Sequence, residues 1–279
     1  MPPINAVTAT DVEFRYGGTV AVATSSFVIP QGAVTALIGP NGSGKSTILN
    51  GIAGLVAPTT GHLSVHQGST PSRIALVLQT TKVNDALPIT VREVVSMGRY
   101  PSIGELNRLT DADRAIVAEA MERMSISDLQ GRHLSELSGG QRQRVFVAQG
   151  LAQDRDLILL DEPLTGLDLP SAQAIDTVIH DEQKRGGTIV MSTHDLAEAR
   201  VADHVILMAG RVVASGDPSD VLTAPNLTEA YGSALLHVNG DQIFLDDPAH
   251  LPADQRHVHQ DRTIHVEAIH DDGSPQRFS

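Results

Sequence analysis

Apolar residues in this chain fall into short runs of two kinds. Val34 to Ile38, Leu157 to Leu160, residues 188–191 and His204 to Met208 are nearly continuous, the pattern of strands buried on both faces. Between them lie stretches of helical period. Thr90 with Glu93 precedes Val94, Val95 and Met97, and Thr110 with Asp113 precedes Ile116, Val117, Ala120 and Met121; both read as capping boxes opening amphipathic helices. A further helix is expected over 171–184. Strand and helix in alternation predict an α/β fold, a mostly parallel sheet covered on both faces. Ahead of it, residues 8–16 and 20–30 read as antiparallel strands around Gly17-Gly18, forming a small antiparallel β lobe, and residues 61–67 and 73–79 add strand-like stretches.

These patterns divide the chain. The main domain is expected over 5–225, with β lobe and core over 5–81, an α-helical subdomain over 82–153, and core again over 154–225. Residues 226–279 then form a C-terminal extension, with a hairpin over 236–244 around Asn239-Gly240 and a flexible acidic tail containing histidines. No internal repeat is present.

Composition narrows the function classes. No apolar run approaches the roughly 18 residues of a spanning helix, and residues 1–10 lack a basic and apolar leader pattern. A soluble, unexported chain is expected. The absence of cysteine excludes disulfide and thiolate sites and suits a reducing cytosol. A formal charge of −13 opposes non-specific binding to nucleic acid or anionic lipid. Any membrane attachment is therefore expected to run through a protein partner.

Gly39-Pro40-Asn41-Gly42-Ser43-Gly44-Lys45-Ser46-Thr47 carries the chemistry. A triphosphate concentrates negative charge on a compact chain, and glycine-rich backbone at a helix start meets it with inward N–H groups. Here Gly39, Gly42 and Gly44 permit the curvature, Lys45 reaches the β/γ-phosphates, and the Ser46 hydroxyl is placed for Mg²⁺. The strand ending at Leu160 delivers Asp161 and Glu162, one acid to hold Mg²⁺ through water and one to orient the attacking water. Leu137-Ser138-Gly139-Gly140-Gln141, followed by a helical run over 142–153, adds a second anion site. One nucleotide cannot easily use both sites of one subunit, so a second chain is implied.

With these strings in place, residues 7–222 resemble the ATP-binding subunits of ABC transporters. The resemblance implies a phosphate-loop (RecA-like) core and a head-to-tail homodimer. Each ATP is then held by the phosphate loop of one subunit and by Ser138, Gly139, Gly140 and Gln141 of the other. It further implies that Tyr16 stacks on adenine, Gln79 ligates Mg²⁺ and senses the membrane partner, Asp168 crosses the dimer interface, and His194 contacts the γ-phosphate. The catalytic set is then Glu162, His194 and Lys45, and the Mg²⁺ set is Ser46, Gln79 and Asp161. Implied partners are integral membrane permease subunits and, indirectly, a substrate-binding protein; the chain would sit at the cytoplasmic face of the membrane and bind no nucleic acid.

Leu87-Pro88-Ile89-Thr90-Val91-Arg92-Glu93-Val94-Val95-Ser96-Met97-Gly98-Arg99-Tyr100 is similar to the same stretch in zinc and manganese importers. Ferric-siderophore and vitamin B12 importers carry a related pattern ending in Gly-Arg-Tyr-Pro, so that branch stays open at Tyr100-Pro101. A soluble ABC ATPase acting on ribosomes or DNA is the competing class; a single uninterrupted cassette without a basic arm argues against it. Six of the twelve histidines, His237, His250, His257, His259, His265 and His270, lie after residue 236 among aspartates. They read first as a solvated acidic tail, and as a hypothesis they bind Zn²⁺ weakly and damp ATP hydrolysis.

Overall fold

The computed structural model describes residues 4–65, 74–79, 88–103 and 107–232, together with the backbone of 236–239 and 242–245. Chain order begins with β1 (Asn5–Tyr16), β2 (Thr19–Pro30), β3 (Val34–Ile38), α1 (Lys45–Ile52), β4 (Thr60–Val65) and β5 (Ile74–Val77). Helices α2 (Val91–Met97), α3 (Tyr100–Ile103), α4 (Asp111–Arg123) and α5 (Gly139–Leu151) follow. The chain then runs through β6 (Leu157–Leu160), α6 (Leu169–Lys184), β7 (Thr188–Thr193), α7 (Leu196–Val201), β8 (His204–Met208), β9 (Val212–Gly216), α8 (Pro218–Val221) and α9 (Ala224–Tyr231).

The central sheet has the order β5-β6-β7-β3-β8-β9, parallel throughout except for the edge pair β8 and β9. Its continuous apolar strands serve two cores at once, because successive side chains point to opposite faces. Ala36, Ile38, Ile158, Leu160, Ile189, Met191, Val205 and Leu207 pack with the larger helices on one side. Leu37, Leu157, Leu159, Val190, Ile206 and Met208 pack on the other, against α1 and the β lobe. The lobe is a three-stranded antiparallel sheet, β2-β1-β4. Phe14 from β1 lies so close to α1 that a Cβ on Gly51 would stand 2.6 Å from its ring. The Ser25 hydroxyl accepts the Val212 N–H at 2.9 Å and joins the lobe to β9.

The stretch that suggested a transporter branch has a structural explanation of its own. Thr90 and Glu93 form the expected capping box of α2, and Thr110 with Asp113 forms that of α4. Gly98 is required because a Cβ there would meet the Gln149 carbonyl oxygen on α5 at 2.4 Å. Arg99, buried, donates through Nε to Asp113 at 3.0 Å and through Nη1 to the Ala152 carbonyl at 2.8 Å. It ties the end of α2 to the start of α4 and the end of α5.

Several boundaries shift. The helix expected over 142–153 begins at Gly139, and that expected over 171–184 begins at Leu169, because Ser138 and Asp168 are their N-caps. The expected break at residue 225 falls inside α9, whose Leu227 and Ala230 are buried in the main core, so that core continues at least to Tyr231. The hairpin exists as β10 (Leu236–Asn239) and β11 (Gln242–Leu245), paired antiparallel with Asn239 opposite Gln242. Residues 66–67, 73, 82–87 and 104–106 of the expected elements, Gly240, and the tail from residue 246 with His250, His257, His259, His265 and His270 lie outside the described residues. Among the described residues no helix is long and apolar enough to cross a membrane.

The buried pair gives a pH test. Hydrogen bonds from the Thr110 hydroxyl and N–H, and then from Arg99, hold the Asp113 carboxyl down from 3.8 to about 2. A depressed carboxylate contributes stability that is complete above its unfolded value and lost as pH falls through the folded one. Asp113→Asn is expected to lower Tm at neutral pH by roughly 5 °C and to flatten the loss of helical signal between pH 3.8 and about 2. Circular dichroism checks both, and an unchanged neutral Tm would remove the pair from the account.

Candidate active site

The phosphate loop leaves β3 at Ile38 and enters α1 at Lys45. Gly42 and Gly44 have φ of +78° and +100°, a region that L side chains rarely adopt. A Cβ on Gly39 would lie 2.2 Å from the Met208 carbonyl oxygen, so the loop is pressed against the end of β8. The Ser43 carbonyl accepts the Gly210 N–H at 3.0 Å and holds it there. Lys45 is buried, its Nζ donating to the Gly39 carbonyl at 2.8 Å and to Pro40 at 3.3 Å. The ammonium is thus curled inside the loop, where incoming phosphate oxygens would replace carbonyls as its acceptors. Asn41, Gly42 and Ser46 face solvent, and Thr47 is half-buried. A cavity of about 430 Å³ opens here, lined by residues 41–47, by Thr19, Val20 and Ala21 of β2, and by Glu162.

Asp161 and Glu162 follow β6 beside this loop. Ser192, buried in the neighbouring β7, donates its hydroxyl to Asp161 Oδ1 at 2.5 Å and accepts the Glu162 N–H at 2.8 Å. One hydroxyl therefore fixes both acids. Glu162 takes φ of +46°, a conformation that costs a residue with a Cβ of order 1 kcal/mol or more. This turn directs its carboxylate to the cavity. Gln79, two residues beyond β5, donates through Nε2 to Glu162 Oε2 at 3.0 Å. His194 follows β7, whose last residue Thr193 pairs with Ile38, the residue before Gly39. The register brings the His194 turn level with the start of the phosphate loop.

The Leu137 to Gln141 string, the signature, forms a separate group in the single chain. Ser138 caps α5, accepting the Gln141 N–H at 3.2 Å, while Gln141 Oε1 accepts the Ser138 N–H at 3.0 Å. Asp168 caps α6 by accepting the Ser171 N–H at 2.9 Å, and the Ser171 side chain and N–H hold its carboxyl below the usual range. A Cβ on Gly140 would stand 2.6 Å from Ser171 Oγ and 3.3 Å from Asp168 Oδ1, so glycine lets the two helix starts touch. Neither group lines the phosphate-loop cavity. Tyr16 ends β1 with half its surface exposed, 51%, so it is not part of the core. It is not among the cavity's lining residues, whereas Thr19, its partner across the hairpin, is.

Sequence reasoning missed Thr19 to Ala21 and Ser192. Ser192 left a trace, a hydroxyl at the end of an otherwise apolar strand one residue before Thr193-His194. The β2 residues carried no such mark.

Comparison with known proteins agrees with this geometry. The family described as ABC transporter matches residues 22–165. The chelated iron transport system protein YfeB of Yersinia pestis is 40% identical over 82% of this chain and 80% of its own length. The manganese transport system ATP-binding protein MntA of Synechocystis is 37% identical over 76% and 84%. The zinc transport system ATP-binding protein TroB of Treponema pallidum is 40% identical over 74% and 79%. An inward-facing ABC transporter described as of metal-chelate type superposes with a TM-score of 0.74 at 27% identity, covering 86% of this chain and 96% of that one. A dimeric ATP-binding cassette holding ADP and phosphate gives 0.65 at 26% identity, over 76% and 98%. With its phosphate loop, paired acids and signature helix in the arrangement described, this chain belongs to the ABC transporter family as an ATP-binding, ATP-hydrolysing subunit.

Proposed function

We propose that this chain energises import of a divalent metal ion, zinc or manganese, through separate membrane permease subunits. The observation that carries the coupling of this site to a permease is the hydrogen bond from Gln79 to Glu162. It links the carboxylate beside the phosphate loop to the edge of the sheet from which the helical subdomain departs. In the proposed cycle two copies pack head to tail. Lys45 and the loop amides bind the phosphates of one ATP, and Ser138 to Gln141 of the other copy close over it. Tyr16 receives the adenine from its exposed position, and Asp168 lies at the seam between copies.

The residues present fit Mg²⁺. Ser46, Gln79 and Asp161 offer a hydroxyl, an amide and a carboxylate, all oxygen donors. Among the described residues no cluster of three acidic or imidazole groups competes as a dedicated cage, which suits an ion that keeps waters and shares substrate phosphates. When bound, it would neutralise charge developing on the phosphates. The chain's own groups do the rest: Glu162 orients and takes a proton from the attacking water, His194 meets the γ-phosphate, and Lys45 stabilises its oxygens.

Leu78, Met97 and Tyr100 are large apolar side chains with 54%, 39% and 45% exposure near Gln79 in sequence and on α2 and α3. They support a permease-facing surface here, which would place the subunit at the cytoplasmic face of the membrane with a substrate-binding protein acting upstream. Withdrawal of Gln79 by that surface would release its hold on Glu162. The relatives named for zinc and manganese transport support the cargo class. The one named for chelated iron favours a ferric chelate as the second reading. The Thr90 to Tyr100 pattern does not choose between them, since its Thr, Glu, Gly and Arg are explained by helix capping and packing.

Glu162→Gln is expected to lower kcat roughly a hundredfold or more, the range for loss of a positioned base, while ATP binding persists and an ATP-bound dimer accumulates in size-exclusion chromatography. An unchanged hydrolysis rate would overturn the role of Glu162. In cells lacking this chain, uptake of radioactive zinc or manganese should fall and return with the intact gene; loss of ferric-chelate uptake alone would select the second reading.

A further inference from the structure

We infer that Glu198 is a positioning residue for His194 and acts through the hydroxyl of Thr193. The inference rests on the proposed contact of His194 with the γ-phosphate. Thr193, buried at the end of β7, donates its hydroxyl to Glu198 Oε2 at 2.6 Å, and the Thr193 hydroxyl oxygen in turn accepts the Asp195 N–H at 2.9 Å. A hydroxyl has one proton. With that proton committed to Glu198, its lone pairs are turned to the Asp195 N–H, and the two bonds straddle His194. The residue before the histidine is anchored in the sheet opposite Ile38, and the residue after it is anchored to the Thr193 side chain.

The helix that carries Glu198 cannot supply this order by itself. α7 is only six residues long, far shorter than a helix that holds its shape unaided. Its capping bond, from the Ala197 N–H to Asp195 Oδ1 at 2.7 Å, joins residues already within the turn. Leu196 and Ala199 anchor α7 in the core, and the Glu198 to Thr193 bond adds a side-chain link from its first turn to the end of β7.

Glu198 also occupies a place that charge and burial oppose. Burial raises its carboxyl above the usual range, and Asp195, Asp176 and Glu162 push the same way, with the Thr193 bond pulling against them. A carboxylate in like-charged, partly buried surroundings breaks a local stability rule, as residues serving function do.

The test measures kcat and KM for ATP in the full chain, with folding checked by circular dichroism. Glu198→Ala and Thr193→Val are each expected to lower kcat roughly tenfold, since a displaced catalytic group loses rate without losing ground-state binding. KM should stay within about twofold. Glu198→Gln and Thr193→Ser, which keep an acceptor and a hydroxyl, should restore most of that loss. In a His194→Ala background, adding Glu198→Ala should cause no further loss, because the residue acts only through the imidazole. Equal losses from Glu198→Ala in both backgrounds would overturn the inference and reduce Glu198 to a helix-terminal acid. So would an unchanged kcat in Thr193→Val while His194→Ala is impaired. If His194→Ala itself turns over normally, the role of His194 falls, and this inference falls with it.

Discussion

The register of the parallel strands β3, β7 and β6 is the constraint on which the site depends. Ile38 pairs with Thr193, and Leu160 pairs with Met191. Those pairings deliver the phosphate loop, the His194 turn and the two acids to the carboxyl end of the sheet within two residues of each other. A slip by one position would reverse every side chain between two fully buried faces, so the hydrophobic pattern that builds both cores also sets the chemistry. Ser192 completes the alignment, because its hydroxyl meets Asp161 and the Glu162 N–H from the adjacent strand.

Around that edge the protein accepts local cost. Glu162 sits in a left-handed conformation, and Gly39 is pressed against a carbonyl where no side chain fits. Lys45 is buried among carbonyls, and Glu198 is held among other carboxylates. The surrounding sheet over-determines these positions, and strain of this kind gathers where geometry serves chemistry. The signature end differs. Ser138, Gln141 and Asp168 are satisfied by their own helix caps, so this surface is complete as structure and presents helix N-termini outward.

Much of this was legible in the chain. Continuous apolar runs gave the parallel sheet, Thr90 with Glu93 and Thr110 with Asp113 gave two helix starts, and the spacing of Gly39 to Thr47 gave the nucleotide site. The same capping logic, applied to Ser138 and Asp168, would have placed α5 and α6 correctly; their glycines and proline obscured the helical period. What stayed hidden depends on pairing between distant strands. Nothing local tells that Ser192 bridges to Asp161, that Thr19 lines the cavity, or that Gln79 reaches Glu162. The end of the cassette was hidden for a related reason, since Leu227 and Ala230 reveal their burial only when α9 lies on the core.

The central claim is that the phosphate loop is half of a site whose other half comes from a second copy. The chain contains no cysteine, so crosslinking between introduced thiols has no background. One preparation carries Asn41→Cys on the phosphate loop, another carries Ser135→Cys just before the signature, and they are mixed with a short bis-maleimide. With ATP and Mg²⁺, a crosslinked dimer containing one chain of each kind is expected, increasing severalfold over the nucleotide-free sample. ATP bound at full occupancy with no such cross-chain product would contradict the claim.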